Sequence, residues 1–452
     1  MGLTHVDKPN LLEDIFSHDS IPRVKFTGKA YEEIRGNLVE FDPANVVNRD
    51  IHITDTTFRD GQQARSPYRV DQIVKIYEMM SKLGGPNGVI RQSEFFLYSK
   101  RDREAVEKCR ELGLEFPEIT GWTRALKADL NLVKAVGLKE TGMLTSCSDY
   151  HIFYQMNKNR QQVFNDYLAV VEEALSSGIR PRCHLEDITR ADIHGFLIPF
   201  VDKLARLSEQ VPPELKIKVR LCDTMGFGIP FAGVSLPRSI PKLIYTVINE
   251  GGIPSDRLEW HGHNDFHKVH INGVIAWLYG CNAVNTTLLG FGERTGNPPL
   301  EGAAIEYAGI MGHTNGMDLS MVTRIADYYR DEIGAVIPEH YPFVGENFNV
   351  TKAAIHADGI SKDDRIYNVF NTTKILGKAP RVSITDRSGV DGVAVWVNDY
   401  LGLSGENRLG KTKVGRIARW VSDQYDVKGR ITAISDEELL EQCKQHLPGY
   451  FK

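Results

Sequence analysis

The chain has 452 residues, enough for more than one domain, and its 42% hydrophobic and 25% charged residues are ordinary for a globular protein, which excludes a disordered or fibrous chain. With 54 basic against 59 acidic residues the formal net charge is -5, so there is no electrostatic footprint for nucleic acid or an anionic membrane. Six cysteines stand far apart without a CxxC pair, no apolar run of about 18 residues occurs, and the opening stretch MGLTHVDKPNLLEDIF holds no apolar signal segment. These features predict a cytoplasmic protein with reduced thiols and small-molecule chemistry, without membrane or nucleic-acid partners.

Residues 1–45 carry scattered apolar positions (Ile15, Phe16, Ile21, Val24, Phe26) and read as an N-terminal arm laid on another surface. From His52 onward, short β-branched runs alternate with helix-length amphipathic stretches, the pattern of repeated βα units around a parallel sheet. Strands are predicted at 51–58, 88–96, 115–120, 138–145, 179–187, 216–222, 257–262 and 282–288. Helices are predicted between and after them, at 70–83, 100–112, 124–136, 160–177, 191–207, 239–250, 269–280 and 300–312. Eight such pairs within residues 46–315 give an α/β (β/α)8 TIM barrel; an open doubly wound sheet fits the alternation but would bring a glycine-rich phosphate turn after its first strand. Residues 316–380 read as a linker subdomain contributing catalytic residues, and 381–452 as a smaller, helical C-terminal subdomain.

A barrel draws its active residues from the C-terminal ends of its strands. Polar clusters fall there: Arg59 and Asp60 after the first strand, His184 to Arg190 after the fifth, Asp223 and Thr224 after the sixth, and His261 and His263 after the seventh. Residues two apart in a strand face one side, so His261 and His263 would aim both imidazoles at one point, with Gly262 between them. An HxH pair can equally be two structural histidines. Asp60 in register adds a carboxylate and gives an open N,N,O site suited to a divalent metal such as Mn2+, Fe2+, Co2+, Zn2+ or Mg2+.

Three motifs in order, DTTFRDGQQ at 55–63, HGHND at 261–265 and GFGERTGN at 290–297, carry a resemblance over about residues 48–380. The chain resembles the metal-dependent Claisen-condensing (DRE-TIM) synthases, which include isopropylmalate, homocitrate, citramalate and Re-citrate synthases. The likeness implies that Asp60, His261 and His263 hold the metal, with Asn297 reaching it directly or through water. It implies that Arg59 contacts a 2-oxo acid, Glu186 lies near the substrate, Arg190 binds a far carboxylate, and His151 and Thr224 line the pocket. The loop containing Gly290, Gly292 and Glu293 would line the acetyl-CoA region. Related lyases carry a catalytic cysteine in that loop, and this chain has none there.

In many of these synthases a His and a Tyr at the spacing of His356 and Tyr367 act as catalytic groups and reach into the partner subunit's barrel, which implies a homodimer with exchanged domains. The ion expected is Mn2+ or Co2+, with Mg2+ or Zn2+ compatible. The stretch RQSEFFLY at 91–98, with the look of ITGWTRA and SDYHIFY, brings the chain nearest to the Re-citrate synthases. That implies acetyl-CoA and oxaloacetate as substrates; 2-oxoglutarate follows as the alternative, then the isopropylmalate and citramalate reactions. A metal-dependent acyl-CoA lyase or aldolase is the reading from a different class.

Overall fold

The computed structural model describes residues 18–21, 24, 29–34 and 36–451; most of the expected arm, Ile15, Phe16 and Phe26 included, lies outside them. The chain divides into two compact units: Arg23–Ala335, and Val336–Lys452 together with the N-terminal residues through Pro22.

The larger unit opens with an antiparallel hairpin, β1 (Ala30–Ile34) and β2 (Asn37–Phe41), whose Phe41 packs edge-on against Tyr245 and Tyr279. Eight parallel strands follow and close into a barrel: β3 (His52–Asp55), β4 (Ile90–Phe96), β5 (Glu118–Arg124), β6 (Glu140–Leu144), β7 (Arg180–Glu186), β8 (Lys218–Asp223), β9 (Leu258–Gly262) and β10 (Ala283–Thr286). Each strand pairs with its neighbour in sequence, and β10 returns to β3 with Val284 opposite Ile53 and Asn285 opposite Thr54. Helices such as Val70–Gly84, Arg160–Ser176 and Leu300–Met311 form the outer ring. The fold is the (β/α)8 barrel that the alternation predicts.

Several predicted spans shift. The first strand stops at Asp55 rather than running to 58, because the Asp55 carboxylate accepts the Thr57 N–H at 3.0 Å and turns the chain. The third begins at Glu118 and runs to Arg124, since Pro117 has no N–H to give the ladder; the helix expected from 124 therefore starts only at Leu130, after a 3-10 turn at Lys127–Asp129.

Outward positions of the strands, among them Ile53, Phe95, Met143, Leu185, Leu221 and Trp260, are buried apolar residues of the core. Many of the inward positions are polar or charged. Gln92 and Glu94, Arg182 and His184, Arg220, and Glu259 and His261 all face the barrel axis and are buried. Arg182 spans three acids there: Glu94 at 2.7 Å, Glu140 at 3.2 Å and Glu259 at 3.7 Å. Arg220 pairs with Glu259 at 2.7 Å and Glu94 at 3.0 Å, while Lys218 holds Glu140 at 2.9 Å. Gly142 on β6 leaves room for the His184 ring, which any Cβ at that position would strike.

The smaller unit is helical, with Ala354–Lys362, Gly389–Tyr400, Lys411–Asp426 and Asp436–His446 packed through Ala357, Val393, Val397, Ile417, Leu439 and Leu447. No helix among the described residues is long and apolar enough to cross a membrane.

Replacing Arg182 with methionine keeps bulk but strands buried carboxylates, and should cost about 3–5 kcal/mol of unfolding free energy. Urea denaturation measures it. A loss under about 1 kcal/mol would show that the acids find other partners.

Candidate active site

Asp60 is not on a strand; it opens the short helix Asp60–Gln63 beyond β3, where the Gly61 N–H returns to the Thr56 carbonyl at 3.1 Å. His261 lies in β9 and His263 one residue past its end. Their Nε2 atoms are 3.3 Å apart, and Asp60 Oδ2 lies 3.5 Å from His261 Nε2 and 3.7 Å from His263 Nε2. The three donors, one from each residue, fall within 4.8 Å of one another, and all three side chains are buried.

The chemistry of these donors fits a divalent cation. Burial pushes the His261 imidazole down to about 3, and the neighbouring His263 and Arg59 add to the fall. Burial lowers His263 as well, against the pull of Asp60, so both rings are neutral and carry lone pairs. Burial alone would raise the Asp60 carboxyl, but its neighbours, the Arg59 guanidinium first among them, bring it below its ordinary value. The donor set is thus one carboxylate and two neutral nitrogens. Asp60 Oδ2 and Asn297 Oδ1 are buried without a hydrogen-bond partner, a cost that coordination would remove.

Asn285, which the sequence reading missed, orients the first imidazole. Its Oδ1 lies 2.8 Å from His261 Nδ1, so Nδ1–H donates to the amide and Nε2 is left for an ion. The Asn285 amide donates to Thr54 Oγ1 at 2.9 Å, Thr54 donates to Glu259, and Glu259 pairs with Arg220. A signal for Glu259 was present: it stands two residues before His261 and therefore on the same face. Asn285 faces inward from the neighbouring β10, a relation that only strand order reveals.

Arg59 donates from Nε to Glu94 at 3.1 Å, holds Nη1 3.5 Å from Asp60 Oδ1, and lies over the Trp122 ring at 5.6 Å. Burial would raise Glu94, but Arg220, His184, Arg182 and Arg59 keep it well below its ordinary value. Glu186 ends β7, accepts from Ser146 and lies 3.7 Å from His151 Nδ1. Arg190 is not a free cation: its Nε and Nη2 hold Asp187 at 2.9 and 2.8 Å, and its guanidinium stacks over Tyr150 at 4.1 Å. Thr224 Oγ1 accepts the Asp187 N–H at 2.8 Å.

In the loop from Gly290 to Asn297, Asn297 donates from Nδ2 to the Gly262 carbonyl at 3.0 Å, and its backbone N–H meets the Gly290 carbonyl at the same distance. Gly292 has to be glycine there, because a Cβ would overlap the Asn297 amide. Glu293 is exposed and accepts the Gly296 N–H through its carbonyl. On the smaller unit, the rings of His356 and Tyr367 lie 4.2 Å apart and inclined by 38°, with Tyr367 41% exposed.

Fold and donor set define a (β/α)8 barrel with three converging donors that could hold a metal ion at the C-terminal rim of its strands. The chain belongs to the HMGL-like family, whose model matches residues 50–328. It is 53% identical to the citrate (Re)-synthase of Syntrophus aciditrophicus, over 99% of this chain and 69% of that one, and 48% identical to the citrate (Re)-synthase of Clostridium kluyveri, over 97% and 94%. In structure it is similar to the hydroxymethylglutaryl-CoA lyase of Pseudomonas aeruginosa, with a TM-score of 0.50 at 20% identity over 63% of this chain and 94% of that one, a likeness of fold.

Asn285→Ala should weaken Mn2+ binding by roughly 10- to 100-fold without unfolding the barrel, as loss of a histidine-orienting partner does elsewhere. Calorimetric titration of chelator-treated protein reads the affinity directly. Unchanged affinity would mean that packing alone sets the ring.

Proposed function

We propose that this chain condenses acetyl-CoA with oxaloacetate and hydrolyses the resulting thioester, so that acetyl-CoA, oxaloacetate and water give citrate and CoA. The observation that carries the reading is the Asp60, His261 and His263 donor set with Arg59 beside it, in a chain 53% identical to a citrate (Re)-synthase. A bound divalent ion, Mn2+ or Co2+ ahead of Mg2+ or Zn2+, supplies Lewis acidity to the ketone oxygen of a 2-oxo acid.

The chain's own residues supply the rest. Arg59 is fixed through Glu94 and Asp60 and keeps further N–H donors for the alkoxide that develops on the ketone. Glu186, with Ser146 and His151 around it, orients the substrate at the rim, and Thr224 closes that side. Arg190 meets the second carboxylate through the N–H groups that Asp187 leaves over, so binding draws on an already oriented guanidinium.

The acetyl methyl is a weak carbon acid and needs a positioned base. We assign that task to His356 with Tyr367, presented by the partner subunit of a homodimer. The protein works in the cytoplasm, in accord with six free, buried cysteines.

CoA release should be fastest with oxaloacetate when compared against 2-oxoglutarate, 2-oxoisovalerate and pyruvate. A preference for 2-oxoglutarate would keep the mechanism and change the acceptor; a preference for 2-oxoisovalerate would remove the role of Arg190. For the shared site, His356→Ala and Asp60→Ala chains, each inactive alone, should regain up to about a quarter of wild-type activity after mixed refolding, because half the dimers are mixed and each holds one intact site. No recovery from a mixture shown to contain mixed dimers would mean that each chain completes its own site.

A further inference from the structure

Arg65 lies on the loop after the helix Asp60–Gln63, at the same rim as the donor set. Three rings enclose its guanidinium: its central carbon is 4.9 Å from the Tyr68 centroid, 5.3 Å from that of Phe291 and 5.6 Å from that of Tyr329. The cage is firmly built. Phe291 and Tyr329 stack at 5.9 Å with 19° between their planes, Tyr68 meets Tyr329 edge-on at 6.0 Å, and the two phenol oxygens are 3.0 Å apart in a hydrogen bond.

What the cage lacks is a negative charge. Among the described residues no carboxylate comes within ion-pair distance of Arg65, and its buried Nε–H has no acceptor. Burial holds the Tyr68 phenol above its usual value and the Tyr329 phenol well above, so neither offsets the cation. The other arginines around the site are all matched: Arg59 with Glu94, Arg190 with Asp187, Arg294 with Asp265. A half-buried guanidinium without a counter-ion, held rigid by ring faces, is a preformed receptor for an anion.

We propose that Arg65 receives a phosphate group of the acyl-CoA donor. Phe291 belongs to the loop that carries Asn297 and its backbone carbonyl lies beside Gly61, so an anion at Arg65 sits at the same rim as the donor set without entering it. In the proposed reaction the carboxylates of the 2-oxo acid are met by Arg59 and Arg190, and phosphate is carried by the CoA donor alone. The inference rests on that reading of the reaction.

The test is R65M, which keeps side-chain length and ring contact but removes the charge, with R65K beside it. Km for acetyl-CoA should rise roughly 10- to 100-fold in R65M, the range of a lost charged hydrogen bond, and R65K should recover part of it. Turnover with acetyl-pantetheine, which has no phosphate, should be indifferent to the substitution, and Km for the 2-oxo acid and the affinity for Mn2+ should stay within about twofold. An equal rise for both acyl donors, or a fall in Mn2+ affinity, would make Arg65 a clip on the Phe291 loop and overturn the proposal; so would an unchanged Km for acetyl-CoA. Calorimetric binding of inorganic pyrophosphate to the wild type and R65M reads the anion site independently of turnover. Wild-type protein that binds pyrophosphate through Arg65 but neither binds CoA nor releases it would overturn the condensation reading and leave the anion site standing; no pyrophosphate binding would overturn the site itself.

Discussion

Much of the larger unit depends on one buried carboxylate. Glu94 is sealed in the barrel and meets Arg182 at 2.7 Å, Arg220 at 3.0 Å and Arg59 at 3.1 Å, with His184 at 3.4 Å. Desolvating so many charges is repaid only when every partner is in place, because a missing member leaves a bare charge in low dielectric. Such a lattice adds little net stability compared with the branched aliphatics that usually fill these barrels. What it supplies is direction. Arg59 reaches the rim already aimed, its Nε fixed by Glu94 and its Nη1 beside Asp60.

The same lattice supports the other half of the site. From Arg220 the contacts run through Glu259, Thr54 and Asn285 to His261, while from Glu94 they run through Arg59 to Asp60. The two branches begin at adjoining members and end on donors whose atoms lie 3.5 Å apart. Residues 60 and 261 are far apart in the chain, yet one hydrogen-bonded frame sets both. Orienting partners that are themselves fixed are what a site needs to hold geometry before substrate arrives.

This frame explains what could and could not be read in the sequence. Eight strands were legible because their outward residues, Ile53, Phe95, Leu185, Leu221 and Trp260, belong to short apolar runs, and His261 with His263 announced itself by period two. Arg182 and Arg220 were invisible for the opposite reason: a charge inside a strand normally marks the solvent face, and here that face is the barrel axis. Asp60 was read as a strand end, whereas the Asp55 turn carries it onto a short helix. Arg190 was read as a receptor for substrate; no pattern in the sequence shows that Asp187, three residues before it and in the left-handed region at φ 64°, already holds it.

The matched charges at the rim bear on how the site treats anions. Arg190 is balanced by Asp187, Arg294 by Asp265, and Arg59 by Glu94 and Asp60, so the protein's own groups leave little surplus positive charge facing the mouth. Asp60 is a single carboxylate shared with two neutral imidazoles, and a divalent ion there would leave a net positive charge over the donors. Attraction for an anionic acceptor would then come with the ion rather than before it, since paired arginines offer direction more than field. Arg65 stands apart from this arrangement because ring faces, not carboxylates, hold it. Its field is present with or without the ion, which separates attraction for the acyl donor from attraction for the acceptor at one barrel mouth.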